Sequence, residues 1–181
     1  VAFAFILSMP GAPFIYYGDE IGMRYVEGLK SVEGGYNRTG SRSPMQWDDS
    51  TNAGFSSAPA SDLYIAMDPD KDRPTAKKEM AAPDSLYHEV KKLIRIRQSH
   101  KALQSRGKIT FVYAEKNASP LAYIREDGDE KILVIINAAA EAKTFACDAE
   151  PKEAIYNFGA AAEAKNGKIT VPAQSAGFYR I

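Results

Sequence analysis

Hydrophobic and polar positions change rhythm along this chain. Val1 to Ser8 is apolar on every side, as in the last turns of a buried helix, and Ser8-Met9-Pro10-Gly11 supplies residues that stop one. Phe14 to Tyr17 is an aromatic and β-branched run between Pro13 and Gly18. It predicts a short buried strand opened by proline, where the missing N–H costs nothing. All rhythm is then lost from about Met23 to Ala82. Connections between elements normally take a handful of residues, so a stretch this long is either functional or disordered. Tyr36, Arg38, Arg42, Met45, Trp47 and Phe55 are residues of a binding loop rather than of a flexible linker. Asn52-Ala53-Gly54-Phe55 reads as a tight turn with a buried phenylalanine, and Ser56 to Pro83 as an extended meander across the surface.

A helical period begins after Pro83. Asp84 or Ser85 can cap it, and Leu86, Val90, Leu93, Ile94 and then Arg97 fall on one face. Lys91, Lys92, Arg95, Arg97, His100 and Lys101 crowd the second half, where cations favour a helix C-terminus. From Gly107 the period becomes two. Strands are predicted at Lys108 to Tyr113, Leu121 to Arg125, Lys131 to Asn137, Ala142 to Ala146, Ala154 to Phe158, Lys168 to Val171 and Ala176 to Ile181. The near-continuous apolar run of Ile132 to Ile136 marks a central strand buried on both faces. So many short strands in so short a stretch imply an antiparallel sandwich.

Composition narrows the chemistry. The chain has 181 residues, enough for one large or two small domains, with 45% hydrophobic and 25% charged residues, an ordinary globular balance. Lys+Arg and Asp+Glu both number 23, so no net field draws in nucleic acid or an anionic membrane. Cys147 has no partner for an internal disulfide and reads as a small core residue. With two histidines there is no zinc constellation, and Asp48 to Asn52 lacks the alternating ligands of a calcium loop, so neither metal nor cofactor is expected. His88 and His100 read as a helix-surface residue and a helix C-terminal cap. Val1 to Leu7 is neither a signal peptide nor long enough to span a membrane. It reads as a helix caught in its middle, and the chain therefore as part of a longer protein. Lack of disulfides fits the cytoplasm without excluding secretion.

One set of residues adds a resemblance. Gly18-Asp19-Glu20-Ile21-Gly22 follows the apolar run, then come Arg38, Arg42-Ser43-Pro44-Met45-Gln46-Trp47-Asp48 and Asn52-Ala53-Gly54-Phe55. In order and spacing this resembles the end of the catalytic barrel in glycoside hydrolase family 13, the α-amylase family. The oligo-1,6-glucosidase, α-glucosidase and trehalose synthase subgroup is nearest; Ser43 stands where that subgroup usually has threonine. The resemblance implies an α+β chain. Residues 1–106 would be the end of a (β/α)8 barrel, with Val1 to Ser8 its seventh helix, Phe14 to Tyr17 its eighth strand and the helix after Pro83 its eighth. Residues 107–181 would be the C-terminal all-β sandwich domain. It also implies a parent enzyme acting on short α-glucosides by a retaining mechanism, as hydrolase, isomerase or transglucosylase. The family's nucleophile, acid/base and third carboxylate would all lie upstream of Val1. No catalytic residue is expected in this chain, and no turnover by it alone.

Asp19 and Glu20 cannot easily replace them, because adjacent residues in an extended segment point to opposite faces. A retaining pair must face each other across roughly 5 Å. Both are read as loop anchors, accepting loop N–H groups and pairing with a nearby arginine. Arg42 is the expected substrate-binding residue and Arg38 the alternative. A guanidinium fork suits carboxylates or paired hydroxyls, and in the resembled subgroup an arginine of this loop closes the floor of the glucose pocket. An arginine that merely pins the loop is the competing reading. Trp47 is read as a packing anchor that could instead stack on a sugar. Tyr113, Tyr123, Tyr156 and Tyr179 are either a sugar-stacking patch or ordinary core and rim residues. The expected partner is a small α-glucoside. Because Val1 to Tyr17 lacks barrel neighbours, self-association through it is also expected. The rival class is a stand-alone carbohydrate-binding or structural β-sandwich module.

Overall fold

The computed structural model describes every residue from Val1 to Ile181. The chain is α+β and divides into two compact units, one of Val1–Pro13 with Lys92–Ile181, the other of Phe14–Lys91.

The first unit is built on antiparallel strands β1 (Lys108–Tyr113), β2 (Leu121–Asp127), β3 (Glu130–Asn137), β4 (Lys143–Ala146), β5 (Ala154–Phe158), β6 (Glu163–Lys165), β7 (Lys168–Val171) and β8 (Ser175–Arg180). They form a five-stranded sheet in the order β1-β2-β3-β8-β5 and a three-stranded sheet in the order β4-β7-β6. β3 lies at the centre of the larger sheet, with Val134 opposite Tyr123 on one side and Phe178 on the other. Its residues Ile132 to Ile135 are wholly buried, the reason for its unbroken apolar run. The sheets share one apolar cluster, to which the larger contributes Ala122, Leu133, Ile135 and Tyr179 and the smaller Phe145, Ile169 and Val171, with Cys147 beside them. β6 escaped the sequence reading because Glu163, Ala164 and Lys165 are all exposed and show no alternation. Its backbone pairing with β7 alone makes it a strand.

Helix α1 (Ala2–Ser8) belongs to this unit, and two buried arginines grip its end. Arg97 Nη1 donates to the carbonyls of Leu7 and Met9 at 2.8 and 2.7 Å, and Nη2 to Gly11 at 2.7 Å. Arg125, with no exposed surface, donates to Ser8, to Gln104 at 2.7 Å and to Gly107 at 3.1 Å. Carbonyls at a helix C-terminus carry partial negative charge and lack intrahelical donors, so a cation there satisfies both needs. Gly107 leaves room for this, since a Cβ would meet Ala102 O at 2.1 Å and Arg125 Nη2 at 2.8 Å. Tyr123 completes the contact, its hydroxyl 2.5 Å from Ser8 Oγ. Tyr123, Tyr156 and Tyr179 are all buried, and Tyr179 Oη donates to Asn157 Oδ1 at 2.7 Å. They are core residues and present no stacking patch.

The second unit is mostly irregular, with a small core of Ile21, Met45 and Ala76 supported by Met23. Here the expected strand fails. Phe14 to Tyr17 is in no sheet, and Phe14 is 86% exposed. A strand exists through its ladder, and without a partner an apolar β-branched run stays an extended loop. The meander also contains a helix the sequence reading missed, α2 (Ala76–Ala81), whose cap Thr75 accepts from Lys78 N–H. Helix α3 (Leu86–Ser99) forms as its period predicts. Ser85 Oγ accepts the His88 N–H at 3.4 Å, while Val90, Leu93 and Arg97 carry the buried face. His100 ends the helix with its backbone, donating its N–H to Ile96 O at 3.2 Å, while its ring Nδ1 lies 2.6 Å from Glu130 Oε1. No helix is long and apolar enough to cross a membrane.

Candidate functional site

Within the second unit the segment Ser43–Trp47 is pinned along both sides. Trp47 N–H donates to Ala53 O at 2.8 Å, while Ala76 N–H and Lys77 N–H donate to the carbonyls of Gln46 and Trp47 at 2.8 and 2.9 Å. The first free N–H groups of α2 are thereby used. Tyr17 Oη donates to Ser43 O at 3.1 Å. The Ala53 acceptor is presented by a left-handed run, Asn52, Ala53 and Gly54 at φ 50°, 53° and 72°. Asn52 Nδ2 holds that run by donating to Ser56 O and Ala58 O at 2.9 and 2.8 Å. The backbone cost of a left-handed alanine is borne where the chain must turn to face Trp47.

Met45 and Trp47 face a hollow of about 400 Å³, whereas Gln46 between them is fully buried and does not line it. The wall is aromatic, formed by Tyr17, Trp47, Phe55 and Tyr64, and the only charged residues lining it are Arg42 and Glu20. Trp47, Phe55 and Tyr64 are each about half exposed. Phe55 is therefore not the buried anchor its turn suggested. Trp47 anchors the loop through its backbone, while its indole is left to the hollow.

The other candidates separate. Arg38 does not line the hollow; its guanidinium lies over the Tyr36 ring at 4.8 Å. Asp19 Oδ2 accepts the Tyr16 N–H at 3.1 Å, a local turn contact. Glu20 has a buried Oε2 without a hydrogen-bond partner. Burial pushes the Tyr17 phenol up, against the pull of the Arg42 charge.

What holds the rest of this loop was not legible in the sequence. Arg24 Nε and Nη2 form a fork onto the buried Asp68 carboxylate at 2.9 Å each, and Arg24 Nη1 meets Asp70 at 2.5 Å. Burial acts to raise the Asp68 carboxyl, but the Arg24 hydrogen bonds and the Asp70 N–H hold it below its ordinary value. These partners lie more than forty positions apart, so neither periodicity nor a local motif points to them.

With this geometry in view, the chain can be placed. Residues 1–106 match the model of the α-amylase family, described as the alpha amylase catalytic domain, and the chain belongs to that family. It is 30% identical to a glucan 1,6-alpha-glucosidase of Streptococcus pneumoniae, covering 94% of this chain and 36% of the relative. An oligo-1,6-glucosidase of Bacillus cereus is 33% identical over 76% of this chain and 29% of its own length. Among solved structures, the trehalulose synthase of Pseudomonas mesoacidophila superposes with a TM-score of 0.81 at 26% identity, over 99% of this chain and 37% of that one. The chain thus spans about a third of the length of such relatives.

Proposed function

We propose that this chain is the C-terminal third of an α-amylase-family enzyme that acts on short α-glucosides with retention. On this reading residues 1–106 are the closing end of the (β/α)8 barrel and 107–181 the sandwich domain. The division at 106 is supported by the family match, which ends there. The observation that carries the reading is the hollow, which sets the Arg42 fork against an aromatic wall, as a site for sugar hydroxyls and the apolar face of a sugar ring requires. Arg42 is the substrate-binding residue; Arg38, stacked on Tyr36, supports the loop. In the parent, one carboxylate attacks the anomeric carbon, a second protonates the leaving oxygen, and water or another sugar resolves the covalent intermediate.

No carboxylate pair of this chain takes those roles, so the chain alone is inactive. Incubation with an aryl α-glucoside tests this: release of the aryl group at background rate is expected, and turnover that tracks the pure protein overturns it. Self-association belongs to the same reading. Ile6, Phe14, Tyr16 and Tyr17 are exposed within Val1 to Tyr17, and a second copy would cover them.

A further inference from the structure

We propose that Glu20 is a ligand-binding carboxylate of the hollow: it takes a donor hydroxyl of a neutral sugar while Arg42 donates to the neighbouring oxygen. The inference rests on the sugar reading of the hollow given above. It departs from the expectation that Glu20 anchors a loop, for its carboxylate holds nothing. Glu20 lines the hollow, and its Oε2 is buried without a donor. A carboxylate oxygen removed from water without a partner is costly. Such a group persists where something else supplies the donor. The last torsion of a glutamate is broad, so the carboxylate can turn either oxygen into the hollow.

Arg42 is exposed at the same hollow beside the Tyr17 phenol, and Glu20 Oε2 has no hydrogen-bond partner of its own. Adjacent hydroxyls of a pyranose answer both at once, one donating to Glu20 and the other accepting from Arg42. The C–H face of the ring then lies against the aromatic side chains. A ligand with its own negative charge would meet Glu20 as a repelling neighbour. Arg42 would attract that charge, but it is exposed and screened by water whereas the Glu20 oxygen is buried, so the site favours uncharged glucosides over uronic acids.

The test uses the whole chain and two probes, methyl α-glucoside and methyl α-glucuronide, followed by ligand-observed NMR titration at neutral pH. The wild-type chain should bind the glucoside more tightly than the glucuronide. Glu20→Gln should weaken glucoside binding about tenfold and shrink the difference between the probes. Equal affinity of the wild-type chain for both probes overturns the proposal without any variant. Glucoside binding that survives Glu20→Gln unchanged but is lost in Arg42→Met overturns the role of Glu20 and leaves the sugar site standing. Binding of neither probe to the wild-type chain overturns both.

Discussion

Arg125 shows how much can rest on one side chain. It is enclosed without a carboxylate partner, and burial, followed by the charge of Arg97, brings its pKa down to about 10. Carbonyls from α1, from the turn before β1 and from the start of β1 meet its donors instead. Arg125→Met should leave those carbonyls unanswered and lower the unfolding free energy by about 3 kcal/mol or more, measured by urea denaturation. No pattern along the chain hints at this role, since an arginine in mid-strand reads as a solvent-facing residue. Arg97 was visible only as a polar intruder on an apolar helix face. A carboxylate prediction belongs at the same scale. Asp68 titrates lower in the folded chain than when unfolded. Its contribution to stability is therefore complete above the unfolded value of about 4 and is lost as pH falls through the lower folded one. Asp68→Asn should destabilise the chain at neutral pH and flatten the loss of stability in acid, read from denaturation midpoints between pH 6 and 3.

Among elements, legibility followed the source of the stabilising contacts. β3, β5, β7 and α3 were readable because their own side chains form the core they pack into, so burial left a periodic trace in the sequence. β6 and the Phe14–Tyr17 run mark the two ways that trace misleads. β6 is a strand with no buried side chain, held by β7. Phe14–Tyr17 has the side chains of a strand and no ladder to join. In the candidate site, Arg42 and Trp47 were found from their motif, whereas Phe55 was expected to be buried and Tyr64 drew no functional reading. An aromatic residue in an irregular loop gives no periodic sign of which way it faces.

At the scale of the molecule, exposed apolar surface is concentrated in Phe14–Lys91, as are the buried polar atoms without partners, on Glu20, Gln46 and Arg73. The remaining unit satisfies its buried polar side chains. Such a surface favours association. Light scattering at micromolar concentrations should give a mass above that of one 19.8 kDa chain, and Phe14→Asp should return it to the monomer. A wild-type chain that remains monomeric removes the case for self-association.

The hydrogen bonds from Ala76 and Lys77 to the carbonyls of Gln46 and Trp47 make α2 a latch on the aromatic wall. Unwinding that single short helix would free Gln46, Trp47 and, through them, the floor beside Met45. The latch is set by the hydroxyl of Thr75, a residue that does not itself line the hollow. Lys77 and Lys78 lie within it, so digestion by trypsin at that pair reports how often the wall stands open.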